Sequence, residues 1–431
     1  MSSETVTGGT DGLAKDTGKS AGRIGVCMLI GIALGYVLTV VWGRTLPPGD
    51  NKVLLSFWGV LMGLGAAVSP LEQEISRQSA HAALNGRKVG RPALIVFVTS
   101  VVAITAVASF TLLPPVTDRV YGGRFSFAVI VLAGGLSFVF QFAARGLLIG
   151  YNQVRSYSWL LLAEASVRVI VVGALVVAGL TQLFWFAVAA ATGSFAWLLF
   201  ARGAARLVDH RLDRDEPAKP QVANMLMLLM GAGLTASVIT GYPAMVSLLA
   251  PAGNDARLGV LFLTLFVART PLMLLSPVQA IAVPTVVRLS ATEDGKHRLR
   301  RLLAAGSVGA LALAALGALV GYLIGPWAVG LVYGADKNPE AWWVAGLVWS
   351  SVLIGAIQLL AAVLVARAKA GKVLVTWAAV VISTALVLLL LPGDTVFRAV
   401  VGLSLGPAIG LVVVISFVLS STGVEGNDEA S

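Results

Sequence analysis

Charge is scarce in this chain. Only 12% of its 431 residues are Asp, Glu, Lys or Arg, against about 25% in a soluble globular protein. A soluble domain is therefore excluded over most of the length. Cysteine is nearly absent: Cys27 stands alone inside the first apolar run, so no intramolecular disulfide can form. Three histidines, His81, His210 and His297, fall far apart in polar loops and show no metal-ligand spacing. The sequence has no phosphate-binding glycine loop, no nucleophile elbow and no paired carboxylates in a polar domain. No loop is long enough for a soluble catalytic domain. These absences point away from an enzyme, and neither a metal nor a cofactor is expected.

What is present is apolar length. Hydrophobic residues make up 57% of the chain, and the mean hydropathy is +0.88. The apolar runs are continuous over about 20 residues, which predicts membrane-spanning helices rather than the short alternating strands of a barrel. Twelve spans are expected, near 24–43, 53–76, 93–113, 125–150, 156–178, 182–203, 223–249, 258–288, 301–324, 342–366, 373–391 and 396–420. The polar, glycine-rich residues 1–22 read as a disordered tail, and 421–431 as a short acidic one.

The basic residues set the expected orientation. Twenty-one of the 31 lysines and arginines lie in the N-terminal tail or in loops on the same side, seven lie on the opposite side, and three lie within spans. The positive-inside rule then places both termini in the cytoplasm. The net charge of +10 follows from that topology and from attraction to anionic headgroups. Spread over many short loops, it does not suggest nucleic-acid binding.

The chain carries an internal repeat. SRQSA at 76–80 returns as VRLSA at 287–291, and VYGG at 120–123 returns as VYGA at 332–335. A duplicated six-span unit inserts both halves in the same sense, with an axis along the membrane normal. The expected organisation is a first six-helix bundle over 23–203, a linker over 204–222 and a second bundle over 223–420. Two such bundles around a cavity suit alternating access.

Charge inside the spans is the chemical signal, because it is costly in hydrocarbon unless paired or facing water. Glu164 and Arg168 are four residues apart on one helix face, with the acid N-terminal to the base. They are expected either to form a structural ion pair or to face a polar cavity. Arg145 either snorkels or pairs with Glu164 or Glu72. Arg269 has no acid within four residues and precedes Pro271 by two; it needs a distant partner or an anionic ligand. Arg269, Arg168, Arg145 and Glu72 are thus the candidate substrate-binding residues. A guanidinium fork suits phosphate, so the expected cargo is anionic. Pro243, Pro271, Pro277 and Pro284 in spans seven and eight are candidate hinges, with static kinks as the alternative.

The stretch RGLLIGYNQVRSYSWLLLAEASVRV resembles the fourth and fifth spans of polysaccharide-export flippases. These form the O-antigen-flippase-like branch of the multidrug/oligosaccharidyl-lipid/polysaccharide exporter (MOP) superfamily. Arg145, Gly146, Leu148, Gly150, Glu164 and Arg168 take the places of its motif. Residues 269–291 are similar to the family's eighth span, with Pro284 and Arg288 at its end, and PLEQEISRQSA at 70–80 is similar to the end of its second, with Glu72 and Arg77 in register.

The resemblance implies an all-α integral membrane protein of twelve helices in two pseudo-symmetric bundles, the fold of the MATE exporters and MurJ. It implies a flippase moving a polyprenyl-(pyro)phosphate-linked saccharide between leaflets of a bacterial plasma membrane. The partners so implied are that lipid, the surrounding membrane lipids and envelope glycosyltransferases, around a monomeric transport unit. Peptidoglycan-precursor flippases of this superfamily have fourteen spans, two more than this chain. A cation-coupled drug antiporter of the same superfamily is the alternative, and a non-transporting scaffold a third. The coupling ion, proton or sodium, stays open.

Overall fold

The computed structural model describes residues 7–209, 218–251, 255–270, 272, 293–366 and 369–420. Among them the β structure is limited to one isolated parallel bridge, between Val89 and Val208. Without water to satisfy backbone groups, a spanning segment must bond its own N–H and C=O groups, and the helix does so locally. Among the described residues, ten helices are long and apolar enough to cross a membrane.

In chain order the helices begin with α1 (Thr7–Thr45), α2 (Pro48–Leu84), α3 (Arg91–Phe110), α4 (Pro114–Tyr121), α5 (Phe125–Gly150) and α6 (Val154–Val177). They continue with α7 (Leu183–Thr192), a 3-10 segment (Gly193–Leu199), α8 (Ala201–Ala205), α9 (Ala218–Ile239), α10 (Tyr242–Leu249) and α11 (Asp255–Ala268). The last four are α12 (Glu293–Tyr333), α13 (Ala341–Ala366), α14 (Ala370–Leu390) and α15 (Thr395–Ser420). Each expected span coincides, over its described residues, with one or more of these helices. The protein is an all-α, multi-pass membrane protein.

The differences from the sequence expectation have local causes. Helix α1 starts at Thr7, inside the expected tail; once the apolar part is helical, extending it is propagation rather than nucleation. The sixth span is broken into α7, the 3-10 segment and α8. There Ser137 of α5 donates to the Ser194 carbonyl at 2.8 Å, Trp197 Nε1 donates to Ser137 Oγ at 2.9 Å, and the Trp197 ring stacks on Phe140. The seventh breaks between α9 and α10. Pro243 cannot donate to a continuing α9, but it suits the first turn of α10. Of the eighth expected span, only α11 and the residues just after it are described; Pro271, Pro277, Pro284 and Arg288 lie outside the described residues.

Packing divides the chain into two compact units. One comprises Met1–Trp42, Leu64–Thr117 and Arg124–Ala232; the other comprises Gly43–Gly63, Asp118–Gly123 and Gly233–Ser431. The boundaries expected at 203 and 223 follow the chain, whereas these units take parts of α1, α2 and α9 each. In the second unit, Ser56 of α2 shares a 2.9 Å hydrogen bond with Ser247 of α10.

The repeat is visible in the helices. Helices α5 and α13 are both 26 residues long. Their first residues, Phe125 and Ala341, are 216 positions apart, as are those of α6 and α14, Val154 and Ala370. The spacing between the VYGG and VYGA tetrapeptides is 212, so four additional residues enter the second half after VYGA.

Small residues set how closely helices meet. On α5, a Cβ at Gly146 would stand 2.7 Å from the Glu72 carbonyl, and one at Gly150 would stand 2.7 Å from that of Ser76. The bare glycine faces let α5 lie directly on α2, which carries Arg145 up to Glu72. Gly31 and Gly35, spaced for the same purpose, are not used so: only Ala165 comes within 4 Å of the first and nothing of the second. Trp42 and Trp343 are buried.

Candidate functional site

The first unit gathers four of the charged residues singled out above. Glu72 comes from the far part of α2, Arg145 from the last turns of α5, and Glu164 and Arg168 from one face of α6. Arg168 and Glu164 are adjacent because i and i+4 share a helix face; Arg168 Nη2 donates to Glu164 Oε1 at 3.0 Å. Arg145 Nη2 donates to the other oxygen, Glu164 Oε2. The Glu164 carboxylate is thus held on both sides by guanidinium groups.

Glu72 completes the group more loosely. Its Oε2 is 3.8 Å from Arg145 Nη1, beyond hydrogen-bond reach, while its Oε1 accepts from the Tyr157 hydroxyl at 2.7 Å. Tyr157 precedes Glu164 by two helical turns, so it shares the α6 face that carries the acid. Sequence reasoning passed over it, although that spacing was its signal.

The four charged side chains are between 7% and 17% exposed. Two acids and two bases sum to zero, which is what makes their burial tolerable. Neighbouring groups finish the solvation. Arg168 Nε donates to the Ala190 carbonyl of α7 at 3.0 Å. Arg145 lies 4.9 Å from the centre of the Phe142 ring and Arg168 6.0 Å from that of Phe138, within range of a cation–π attraction. Arg145 Nε has no acceptor among the described residues. Glycine at 193 is required: a Cβ there would fall on the Arg168 guanidinium and the Glu164 carbonyl.

Glu74, one turn before Arg77, pairs with it at 2.6 Å. Every acid in the described spans of the first unit therefore has an arginine partner: Glu72 with Arg145, Glu74 with Arg77, and Glu164 with Arg145 and Arg168.

Arg269 belongs to the second unit. It is 7% exposed, and its Nη2 donates to the Val238 carbonyl near the end of α9 at 2.8 Å. Pro243, the described hinge candidate, is buried at the start of α10. Among the described residues, no three His, Cys, Asp or Glu side chains are placed to hold a metal ion.

No family model matches the chain. Two Mycobacterium tuberculosis proteins, both described as uncharacterized, are each 27% identical to it over 412 and 410 residues, covering 91% of this chain and 90% of theirs. Among solved structures, an inward-facing multidrug resistance MATE family transporter of the MOP superfamily superposes with a TM-score of 0.64 at 15% identity, over 94% of this chain and 98% of that one. The lipid II flippase MurJ, in an inward closed conformation, gives 0.63 at 11% identity over 92% and 87%. A MOP superfamily transporter from Pyrococcus furiosus gives 0.56 at 16% over 94% and 95%. The chain has the fold these transporters share.

Proposed function

We propose that this protein is an alternating-access flippase of the bacterial plasma membrane, with both termini in the cytoplasm. Its cargo is a polyprenyl-(pyro)phosphate-linked saccharide destined for a cell-envelope polysaccharide. The observation that carries this reading is the pairing of acids with arginines in the first unit. An antiporter driven by a cation needs a carboxylate able to take up that cation and give it back. Here Glu72, Glu74 and Glu164 each have an arginine beside them. The buried guanidinium groups of Arg145, Arg168 and Arg269 instead favour an anionic cargo. The likeness to MurJ, named for lipid II, supports a lipid-linked cargo.

In this reading Arg269 meets the phosphate during transport. In the first unit Arg145 and Arg168 are the candidates, where a phosphate oxygen would take the place of a Glu164 carboxylate oxygen beside a guanidinium. The second reading, a cation-coupled multidrug exporter, draws on the MATE likeness and on Glu72, the acid most loosely held by arginine.

The deciding experiment depletes the protein in its host and profiles polyprenyl-linked sugars by mass spectrometry. Accumulation of one species shielded from external probes supports the flippase; an unchanged profile with altered drug sensitivity supports the exporter. Arg269→Glu is expected to abolish translocation without lowering membrane abundance, and normal translocation by it would remove Arg269 from the cargo site.

A further inference from the structure

The first unit holds a second polar feature, away from the buried quartet. A cavity of about 520 Å³ opens where α2 ends and α3 begins. Arg77, His81, Arg87 and Lys88 line it, with Glu74 as its acid. Glu74 is committed to Arg77 through two hydrogen bonds, of 3.0 and 2.6 Å. Arg87 and Lys88 are exposed, and among the described residues no hydrogen bond or ion pair engages either side chain. The cavity therefore keeps two uncompensated cations.

The segment presenting them is built, not loose. Helix α2 closes with a Schellman cap: Gly86 N–H bonds the Ala83 carbonyl at 3.0 Å and Arg87 N–H bonds the Ala82 carbonyl at 2.9 Å, with Gly86 at φ +64° as that cap requires. Tyr151 then donates its hydroxyl to the Arg87 carbonyl at 3.0 Å. Val89 is pinned next: its N–H bonds Leu207 O at 3.2 Å and its carbonyl accepts from Asp209 N–H at 2.8 Å. Three tethers in three residues hold Arg87 and Lys88 over the cavity.

The floor of the cavity adds to the same field. Gly90 and Pro92 bring the start of the 20-residue α3 to it, and no side chain caps that helix end. Its free N–H groups and dipole favour an anion. The volume lies within the range of small-molecule sites.

From this geometry we infer that the cavity between α2 and α3 binds a phosphate group, held by Arg87 and Lys88 at the start of α3. The cavity sits where two spans meet the polar face, so the phosphate can come from an anionic lipid headgroup or from a free phosphate compound. This site stands apart from the cargo reading: its loss leaves the buried quartet and Arg269 intact.

The test uses the purified full-length protein in neutral detergent, with native mass spectrometry as the readout. It is titrated separately with phosphatidylglycerol, phosphatidylcholine and inorganic pyrophosphate. Wild type is compared with the Arg87→Gln/Lys88→Gln double variant, and with Arg257→Gln as a charge-loss control elsewhere. Two charge-assisted contacts predict a loss of about tenfold or more in the double variant, and none in the control. Tyr151→Phe, which keeps every charge but unties Arg87, is expected to weaken binding by about threefold, from part of one hydrogen bond. Binding of phosphatidylglycerol that pyrophosphate does not displace assigns the site to a lipid headgroup. Binding of pyrophosphate alone, with the same variant sensitivity, assigns it to a free phosphate compound. Equal affinities of wild type and the double variant, or binding of neither anionic probe, would overturn the inference.

Discussion

The two halves of the repeat make the same helix contact with different chemistry. In the first, Gly193 lies against Glu164 and Arg168 of α6. In the second, Gly406 of α15 lies against Val380 and Thr384 of α14. Since α6 and α14 start 216 positions apart, Val380 and Thr384 occupy the places of Glu164 and Arg168. Ala361, buried on α13, occupies that of Arg145. The second half thus closes the contact with a methyl-rich, neutral surface. Replacing a buried ion pair by apolar groups of fitting volume is commonly neutral or stabilising. The fold does not need charge at this contact, so its presence in the first half points to work other than holding helices together.

That comparison can be broken or sharpened by substitution. The largest expected effect comes from Glu164→Gln. It leaves Arg145 and Arg168 without the carboxylate they share, at a cost of about 3–5 kcal/mol, read as a fall in unfolding temperature of the detergent-purified protein. The sharper variant imports the second half's neutral solution, as Glu164→Val, Arg168→Thr and Arg145→Ala together, with Glu72→Gln so that no buried acid loses its partner. It is expected to fall within about 2 kcal/mol of wild type in stability and to lose translocation. Retained translocation would show the quartet to be structural.

Next come the paired glycines. Gly193→Ala and Gly406→Ala should each cost about 1–3 kcal/mol by overpacking. Only the first displaces a guanidinium, so only the first should also reduce translocation at equal abundance.

The smallest effect is expected at the outer ion pairs of the second unit. Arg257 bonds Glu340 at 2.6 Å and Asp394 at 3.0 Å, and all three side chains are 42–53% exposed. Arg257→Gln should cost under about 1 kcal/mol and lose its effect in high salt. A larger loss would mean that exposed charge in the second half is worth as much as buried charge in the first.

Much of the fold was legible because hydropathy is a local property. A run of about 20 apolar residues has one stable form in a bilayer, and the expected spans coincide with helices wherever their residues are described. The breaks were harder to read. Nothing in GSFAWLL announces a 3-10 segment; the hydrogen bonds from Ser137 and Trp197 that accompany it join residues about sixty positions apart. Pro243 did signal its break. At the candidate site, Glu164 and Arg168 were legible as neighbours because helical spacing alone brings them together. Tyr157 carried the same signal. Arg87 and Lys88 looked like ordinary loop charge, since their tethers to Tyr151 and Leu207 cross the chain.

The sequence by itself determined that this is a many-span helical membrane protein built on a repeat, with a few charges committed to its spans. Those are consequences of composition, of helical rise and of the cost of burying charge. Only the tertiary structure decided which charges meet. Arg145 meets Glu164, nineteen residues away on another helix, shares it with Arg168, and has Glu72 on its other side. The pairing depends on how closely α5 lies on α2, which the bare faces of Gly146 and Gly150 permit, and helix spacing is a property of packed surfaces, not of any one segment.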